Sequence, residues 1–177
     1  MAKTYLLSSI GLPGSGKSTF LQRFSQEQKF FYWQNDEARR RLFNPRRHTT
    51  EENEFLGQAS RYAFDQALRV GVSCVYDVNL NRREHRSQFD QLAEAHHAEF
   101  WLLWFQVPIE VARARVQHRT EQATGELRAY YDTFDPNFIE RMRTNLQEPT
   151  PNERVIILDG TDAYDGQRQQ VTSKLRA

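Results

Sequence analysis

The sequence GLPGSGKST at residues 11–19 follows an apolar run, TYLLSSI, at residues 4–10. The stretch matches the Walker A spacing without a mismatch: Gly11 and four further residues are followed by Gly16, Lys17 and Ser18. The glycines allow a tight turn whose backbone N–H groups point inward, and a helix that begins near Gly16 adds the positive end of its dipole. The stretch therefore predicts a strand, a loop that binds nucleotide phosphates, and a helix.

The side chains of this loop predict contacts with a nucleotide and a metal ion. Lys17 places a compact cation at the β- and γ-phosphates of a nucleoside triphosphate, and the Ser18 hydroxyl is a suitable ligand for Mg²⁺. ATP and Mg²⁺ are therefore the expected cofactors. The residues expected to contact the nucleotide are Gly14, Ser15, Gly16, Lys17, Ser18 and Thr19.

Short apolar runs alternate with longer amphipathic segments along the rest of the chain. The further predicted strands are FFYW at 30–33, VSCVYDV at 72–78, FWLLWFQV at 100–107 and RVIILD at 154–159. Strands that alternate with helices imply right-handed crossovers and a parallel sheet whose two faces are both covered. We therefore predict an α/β fold, which the loop at residues 11–18 marks as the P-loop NTPase type; its kinase form is what the family resemblance described below implies. It would be one domain over residues 1–177, with a five-stranded parallel sheet and helices on both faces.

Composition argues against several classes of protein. A net charge of +1 gives no general attraction to nucleic acid, although arginine, which suits bidentate phosphate binding, supplies 20 of the 24 basic residues. A compositional bias of the genome would give the same excess of arginine. No apolar run approaches the roughly 18 residues of a membrane span, and no export signal opens the sequence. We expect a cytoplasmic protein without membrane contact, in which the one cysteine, Cys74, is buried.

Polar residues after the second and third predicted strands are candidates for the acceptor side of the site, because open α/β sheets bind ligands at this edge. Asp36 and Arg39 are three residues apart and share a face of a helix. The carboxylate could accept a hydroxyl proton while the cation binds an acceptor's charge, although Asp36 would also serve as a helix cap. Asp77 ends the third strand, where it could bind magnesium through water or orient a neighbouring arginine.

Two arginines of the sequence ARARVQHR, at residues 112–119, are candidates for charge neutralisation. Arg115 and Arg119 are four residues apart and therefore lie on one face of a helix. Arginines that close over phosphates stabilise the charge of the transition state, whereas the alternative here is a solvated helix face. Residues 111–134 form a candidate lid.

Taken together, these motifs resemble the P-loop kinases related to phage-type polynucleotide 5′-hydroxyl kinases. The family patterns GxPGSGKST, Asp-x-x-Arg, Asp-x-Asn-Leu-Asn and Arg-x-x-x-Arg occur in order at residues 11–19, 36–39, 77–81 and 115–119. The chain differs at Asn35, where the family has a basic residue, and at Val78, where it has threonine, so the Val78 side chain has no hydroxyl with which to make the family's contact. The sequence NLQEPTPNERV, at residues 145–155, also resembles a group of uncharacterised small kinases.

The resemblance implies a role for each candidate residue. Those implied to act on ATP and magnesium are Lys17, Ser18, Arg115 and Arg119. On the acceptor side, Asp36 would be the general base on the accepted hydroxyl. Arg39 would bind the acceptor's phosphate, and Asp77 would support that arginine.

Three functions are compatible with these observations. The first is an ATP-dependent kinase of the 5′-hydroxyl end of RNA or DNA, which the arginines of RRRLFNPRR at residues 39–47 favour. The second is a kinase of a small hydroxylated metabolite such as a nucleoside, a sugar nucleotide or an antibiotic, which the near-neutral net charge favours. The third is an ATP-binding switch that transfers no phosphate, for which Lys17 would matter and Asp36 would not.

Overall fold

The fold is seen in a computed structural model, which describes residues 3–45, 47–124 and 137–176. In chain order its elements are β1 (Tyr5–Gly11), α1 (Lys17–Gln28), β2 (Phe31–Gln34), α2 (Asn35–Leu42), α3 (Thr50–Arg69), β3 (Cys74–Asn79), α4 (Arg83–Ala95), β4 (Glu99–Gln106), α5 (Ile109–Gln122), α6 (Phe138–Thr144), β5 (Val155–Asp159) and α7 (Tyr164–Arg176).

The strands form one parallel sheet in the order β2-β3-β1-β4-β5. Leu7 of the central strand β1 pairs with Val75 of β3 on one side and with Trp101 of β4 on the other. Because all strands run the same way, their carboxyl ends meet at one edge, where the loop after β1 also lies. The predicted five-stranded parallel α/β fold is confirmed.

Helices pack on both faces of this sheet. Leu6 and Leu7 are adjacent in β1 and fully buried, and their side chains enter different core clusters because successive strand residues point to opposite faces. Leu6 packs in a cluster with Phe64 of α3, and Leu7 in a cluster with Phe24 of α1. Cys74 is buried in the first cluster, as predicted.

The candidate lid at residues 111–134 falls partly within the described chain. Its first part is helical and belongs to α5, whereas residues 125–136 lie outside the described residues. Among the helices that the structure describes, none is both long and apolar enough to cross a membrane.

Candidate active site

The loop of residues 11–18, here called the phosphate loop, joins β1 to α1 at the carboxyl edge of the sheet. Gly14 has a φ of 82°, and a Cβ added there would lie 2.6 Å from the carbonyl oxygen of Ala112 in α5. A side chain at this position would therefore be strained and would also push α5 away. The Lys17 ammonium turns back over the loop and donates to the carbonyl oxygens of Gly11 (2.9 Å) and Leu12 (2.8 Å).

Lys17 is a half-buried cation whose hydrogen-bond partners are neutral oxygens. Burial lowers its pKa to about 8; the nearby Asp77 carboxylate raises it, and the nearby Arg119 lowers it further. A buried ammonium without a bonded carboxylate is stabilised by an anion brought into the loop. Nucleotide phosphates therefore fit this site.

Asp77 lies at the carboxyl end of β3 with only 6% of its surface exposed, and it contacts the phosphate loop directly. Its Oδ1 accepts a hydrogen bond from the Ser18 hydroxyl at 3.0 Å. Its Oδ2 accepts from the Tyr32 hydroxyl at 2.6 Å and from the Gln34 amide at 2.8 Å. Burial raises the pKa of Asp77, while the hydrogen bonds from Tyr32, Ser18 and Gln34 act to lower it. Hydroxyl and carboxylate oxygens such as those of Ser18 and Asp77 are of the kind that Mg²⁺ prefers as ligands.

The structure does not bring Asp77 and Arg39 together, contrary to the support that the resemblance implied. Arg39 is 5% exposed, and its guanidinium donates to Glu52 (2.8 Å) and Asn53 (2.6 Å) of α3. The reason is that α2 lies against α3, so the buried face of α2 points at that helix rather than at the sheet edge. The Nε of Arg39 is buried and has no hydrogen-bond partner among the described residues.

Asp36 occupies a different environment from Arg39, although the two share a side of α2. Because α2 begins at Asn35, Asp36 is the second residue of the helix and not its cap. Asp36 is exposed, and its carboxylate has no hydrogen bond or ion pair with the residues that the structure describes. It follows Gln34 by two residues, and Gln34 bonds Asp77. The Asp36 carboxylate is thus available at the same sheet edge as the phosphate loop.

The two arginines of α5 differ in their contacts. The Nη1 of Arg115 donates to the carbonyl oxygens of Gly14 (3.2 Å) and Gly160 (2.9 Å), and so it joins the phosphate loop to the segment after β5. Arg119 is exposed and forms no hydrogen bond or ion pair within the described part of the chain. It is nonetheless near enough to Lys17 to lower the pKa of that residue. Arg115 therefore holds backbone in place, and Arg119 is the guanidinium available to a ligand.

The segment that follows β5 was not predicted from the sequence to be part of the site. A Cβ on Gly160 would lie 2.3 Å from the carbonyl oxygen of Ser15, so the backbone of this segment touches the phosphate loop. The signal in the sequence was a glycine directly after a strand, at the edge where α/β sheets bind ligands. Tyr32 and Gln34, the partners of Asp77, were also missed.

A cavity of about 750 Å³ lies beside the phosphate loop and between α5 and the start of α7. Its lining includes Gly14, Gly16, Thr19, Phe20, Arg115, Arg119, Gly160, Asp162, Tyr164 and Gln167. The volume lies within the range of roughly 300–1,000 Å³ of small-molecule sites. Both candidate arginines and three of the candidate loop residues therefore meet at one cavity.

A second cavity, of about 510 Å³, lies on the side of the phosphate loop where α2, α3 and α4 meet. Asn35 and Asn79 belong to its lining. The Asn79 amide also donates to the carbonyl oxygen of Gly11 at 3.2 Å, so this cavity adjoins the first residue of the phosphate loop. The described residues thus form a cavity on either side of the loop.

Comparison with known proteins agrees with this geometry. A family model described as AAA domain matches residues 6–149. The chain belongs to this AAA-domain family. The matched region contains the phosphate loop, Asp36, Asp77 and α5. A search of curated proteins found no match.

Solved structures share the fold at low sequence identity. A putative kinase from Chloroflexus aurantiacus superposes with a TM-score of 0.74 at 15% identity, covering 99% of this chain and 98% of that chain. The APS kinase CysC of Mycobacterium tuberculosis, in complex with AMPPNP and APS, gives a TM-score of 0.68 at 18% identity, covering 100% of both chains. A chain of the Pnkp1/Rnl/Hen1 RNA repair complex gives 0.68 at 23% identity, covering 83% of this chain and 45% of that chain. This member of the AAA-domain family therefore has the fold of small P-loop kinases.

Proposed function

We propose that the protein is an ATP-dependent phosphotransferase that moves the γ-phosphoryl group of ATP to a hydroxyl. The observation that carries this proposal is the position of Asp77. Its two carboxylate oxygens join Ser18 of the phosphate loop to Gln34 at the end of β2. The unpaired carboxylate of Asp36 lies two residues further along the chain, so a candidate base accompanies the donor site.

The donor side would be held by residues of the phosphate loop and of α5. Lys17 would bind the β- and γ-phosphates, while the Ser18 hydroxyl and the Asp77 carboxylate would hold Mg²⁺. When bound, Mg²⁺ neutralises charge on the phosphates. Arg119 would add its positive charge to the same phosphates, and Arg115 would keep the loop in position through its hydrogen bond to the carbonyl of Gly14.

The transfer step needs little covalent help from the protein. The acceptor oxygen forms a bond to the γ-phosphorus while the bond between that phosphorus and the bridging oxygen breaks, and ADP leaves with the electron pair. Asp36 accepts the proton of the hydroxyl. The remaining task of the protein is to align the two substrates and to neutralise charge.

We infer that the acceptor is the 5′-hydroxyl end of RNA or DNA. Arg40, Arg41 and Arg47 are exposed at or just after α2, and such a cluster suits a phosphate backbone. Arg40 and Arg41 pair with Glu37 at the surface, where exposed pairs are weak and exchange readily for other anions. The fold similarity to a chain of an RNA repair complex is compatible with this acceptor.

A second candidate acceptor is a small hydroxylated metabolite. It is favoured by the burial of Arg39, because a guanidinium bonded to Glu52 and Asn53 does not bind an acceptor's phosphate. The fold similarity to an APS kinase is compatible with a small acceptor.

Phosphate transfer from labelled ATP tests the proposal. The protein is incubated with [γ-³²P]ATP, Mg²⁺ and RNA or DNA oligonucleotides that end in a 5′-hydroxyl, and in parallel with a library of nucleosides, sugar nucleotides and aminoglycosides. We expect label on the oligonucleotide ends. Label on a small molecule alone would select the second candidate. If no acceptor is labelled at any Mg²⁺ concentration while ATP still binds, the protein is a nucleotide-binding switch.

A further inference from the structure

The cavity of about 510 Å³, here called the amide pocket, is lined by the residue that precedes the proposed base in the chain. Asn35 lines it and directly precedes Asp36 in α2. Asn79 lines it from the end of β3 and bonds the backbone of Gly11. A molecule in this pocket therefore lies next to both the phosphate loop and the start of α2, where an acceptor hydroxyl must be.

Amide side chains dominate the polar lining of this pocket. They come from α2, α3, β3 and α4, and they are Asn35, Asn53, Gln58, Asn79 and Gln88. A free amide has two donor hydrogens and an acceptor oxygen. Three of the five already form hydrogen bonds within the protein, namely Asn35, Asn53 and Asn79. Gln58 and Gln88 are exposed, and neither forms a hydrogen bond with the described residues, so both are available to a ligand. Paired donors and acceptors of this kind match the edges of nucleobases.

Two aromatic side chains also line the amide pocket. The rings of Tyr76 and Phe89 lie 4.8 Å apart between centroids, at an interplanar angle of 52°. The Tyr76 hydroxyl accepts a hydrogen bond from the Asn35 amide at 3.0 Å, which fixes the position of that amide. Aromatic rings beside amides provide both the apolar contact and the hydrogen bonds by which proteins hold an unstacked base.

The charge of the pocket does not suit a phosphate. Glu54 and Arg61 line it with opposite charges, and the His85 imidazole also belongs to the lining. Arg39 is not part of the lining, and its guanidinium bonds Glu52. A phosphate buried here would have no excess of positive charge to compensate the loss of its hydration. An uncharged ligand has no such penalty.

We propose that the amide pocket binds an uncharged nucleoside unit that carries the accepted hydroxyl, and that it recognises the base and sugar rather than an adjoining phosphate. This inference rests on the proposed function. The nucleoside unit could be a free nucleoside or the 5′-terminal residue of an oligonucleotide. In the second case the phosphates of the chain lie outside the pocket, near the surface arginines that follow Asp36.

The test compares three acceptors with the same base: a nucleoside, its 3′-monophosphate and a 5′-hydroxyl oligonucleotide. We expect the first two to have KM values within about threefold of each other, because the phosphate contributes little to binding. A comparison of kcat/KM between the nucleoside and the oligonucleotide identifies the natural source of the unit. A requirement for the 3′-phosphate, seen as a KM at least about 100-fold higher for the nucleoside, would overturn the inference.

Variants of the amide side chains test the pocket itself. Gln58→Leu and Gln88→Leu should each raise the acceptor KM about fivefold to tenfold, as expected for one lost hydrogen bond, with the KM for ATP unchanged. Gln91→Leu is the matched control, since Gln91 is an exposed glutamine of α4 outside the pocket lining, and it should change neither value. Unchanged acceptor KM values in both pocket variants would overturn the inference.

A binding measurement separates this inference from the proposed function. Calorimetry measures the Kd of a nucleoside titrated into protein that is saturated with a non-hydrolysable ATP analogue. This measurement requires no phosphate transfer. If no acceptor is phosphorylated, the proposed function fails, yet nucleoside binding that Gln88→Leu weakens would still support the pocket. If oligonucleotides are phosphorylated but the pocket variants leave their KM unchanged, the proposed function stands and the pocket assignment fails.

Discussion

At the scale of single residues, the half-buried Lys17 and the buried Asp77 both form hydrogen bonds with the phosphate loop. Lys17 bonds only neutral oxygens of the loop, whereas Asp77 bonds the hydroxyls of Ser18 and Tyr32 and the amide of Gln34. Each group is therefore fixed in position before any ligand arrives. Such preorganisation is the main way in which a protein contributes to phosphoryl transfer.

The lowered pKa of Lys17 predicts how nucleotide binding depends on pH. In the free protein this pKa is about 8, because burial disfavours the ammonium form. Triphosphate favours the ammonium form and raises the pKa in the complex, so binding above pH 8 takes up a proton. We expect the Kd for ATP to be constant below pH 8 and to rise up to about tenfold per pH unit above it. Calorimetry in buffers of different ionisation enthalpy measures both the Kd and the proton uptake.

A substitution of Arg119 tests whether Lys17 is the group that causes this pH dependence. Because its charge lowers the pKa of Lys17, Arg119→Gln should move the midpoint of the pH dependence upward. Arg113→Gln is the matched control, since Arg113 pairs with Glu110 and Glu140 on another face of α5. A pH-independent Kd between pH 7 and 9.5, without proton uptake, would contradict the role given to Lys17.

Arg39 shows that the spacing of residues along a helix does not predict which of them are buried. The interval of three residues correctly places Asp36 and Arg39 on one side of α2, but it does not say which of them is buried. That depends on α3, whose Glu52 and Asn53 meet the guanidinium. The contact joins two helices, and no local pattern in either helix encodes it.

At the scale of elements, the segment after β5 and helix α5 together support the phosphate loop. Gly160 touches the carbonyl of Ser15, and its own carbonyl accepts a hydrogen bond from Arg115. The same guanidinium bonds Gly14 of the loop. The phosphate loop, helix α5 and the segment after β5 are thus joined by backbone contacts and by the Arg115 side chain. A displacement of one of them therefore displaces the others.

Gly160→Ala tests this contact. The new Cβ would lie 2.3 Å from the Ser15 carbonyl oxygen and 2.6 Å from Cγ1 of Val107, so the loop must shift. We expect a loss of about 1–3 kcal/mol in the free energy of unfolding, measured by urea denaturation, together with a weaker affinity for ATP. Gly166→Ala in α7, where a Cβ meets nothing within 4 Å, should be neutral or stabilising. Equal stabilities of the two variants would show that the segment does not support the loop.

At the scale of the whole molecule, the sheet order places one cavity on each side of the phosphate loop. Because β1 is central, α5 and α7 enclose the larger cavity, while α2, α3 and α4 enclose the amide pocket. A donor and an acceptor bound in these cavities would both reach the loop. The parallel sheet is therefore what makes transfer between two ligands geometrically feasible.

The sequence predicts the fold and the position of the phosphate loop, but not the packing around Arg39, for a physical reason. Local patterns predict the phosphate loop, the alternation of strands with helices and the place of Asp77 near the end of a buried strand, because chain geometry converts them directly into positions. The burial of Arg39 and the approach of Gly160 to Ser15 depend on how distant elements pack. Nothing in a single stretch of sequence records such packing.

Asp36→Asn tests most directly whether Asp36 is the base for an acceptor hydroxyl. The substitution preserves shape at an exposed position, so the protein should fold normally. We predict that kcat for phosphate transfer falls about 10²- to 10⁴-fold while the Kd for ATP, measured by calorimetry, stays unchanged. Glu84→Gln, which alters an exposed carboxylate in the first turn of α4, should change neither value. A kcat for Asp36→Asn within about threefold of the wild-type value would contradict the account.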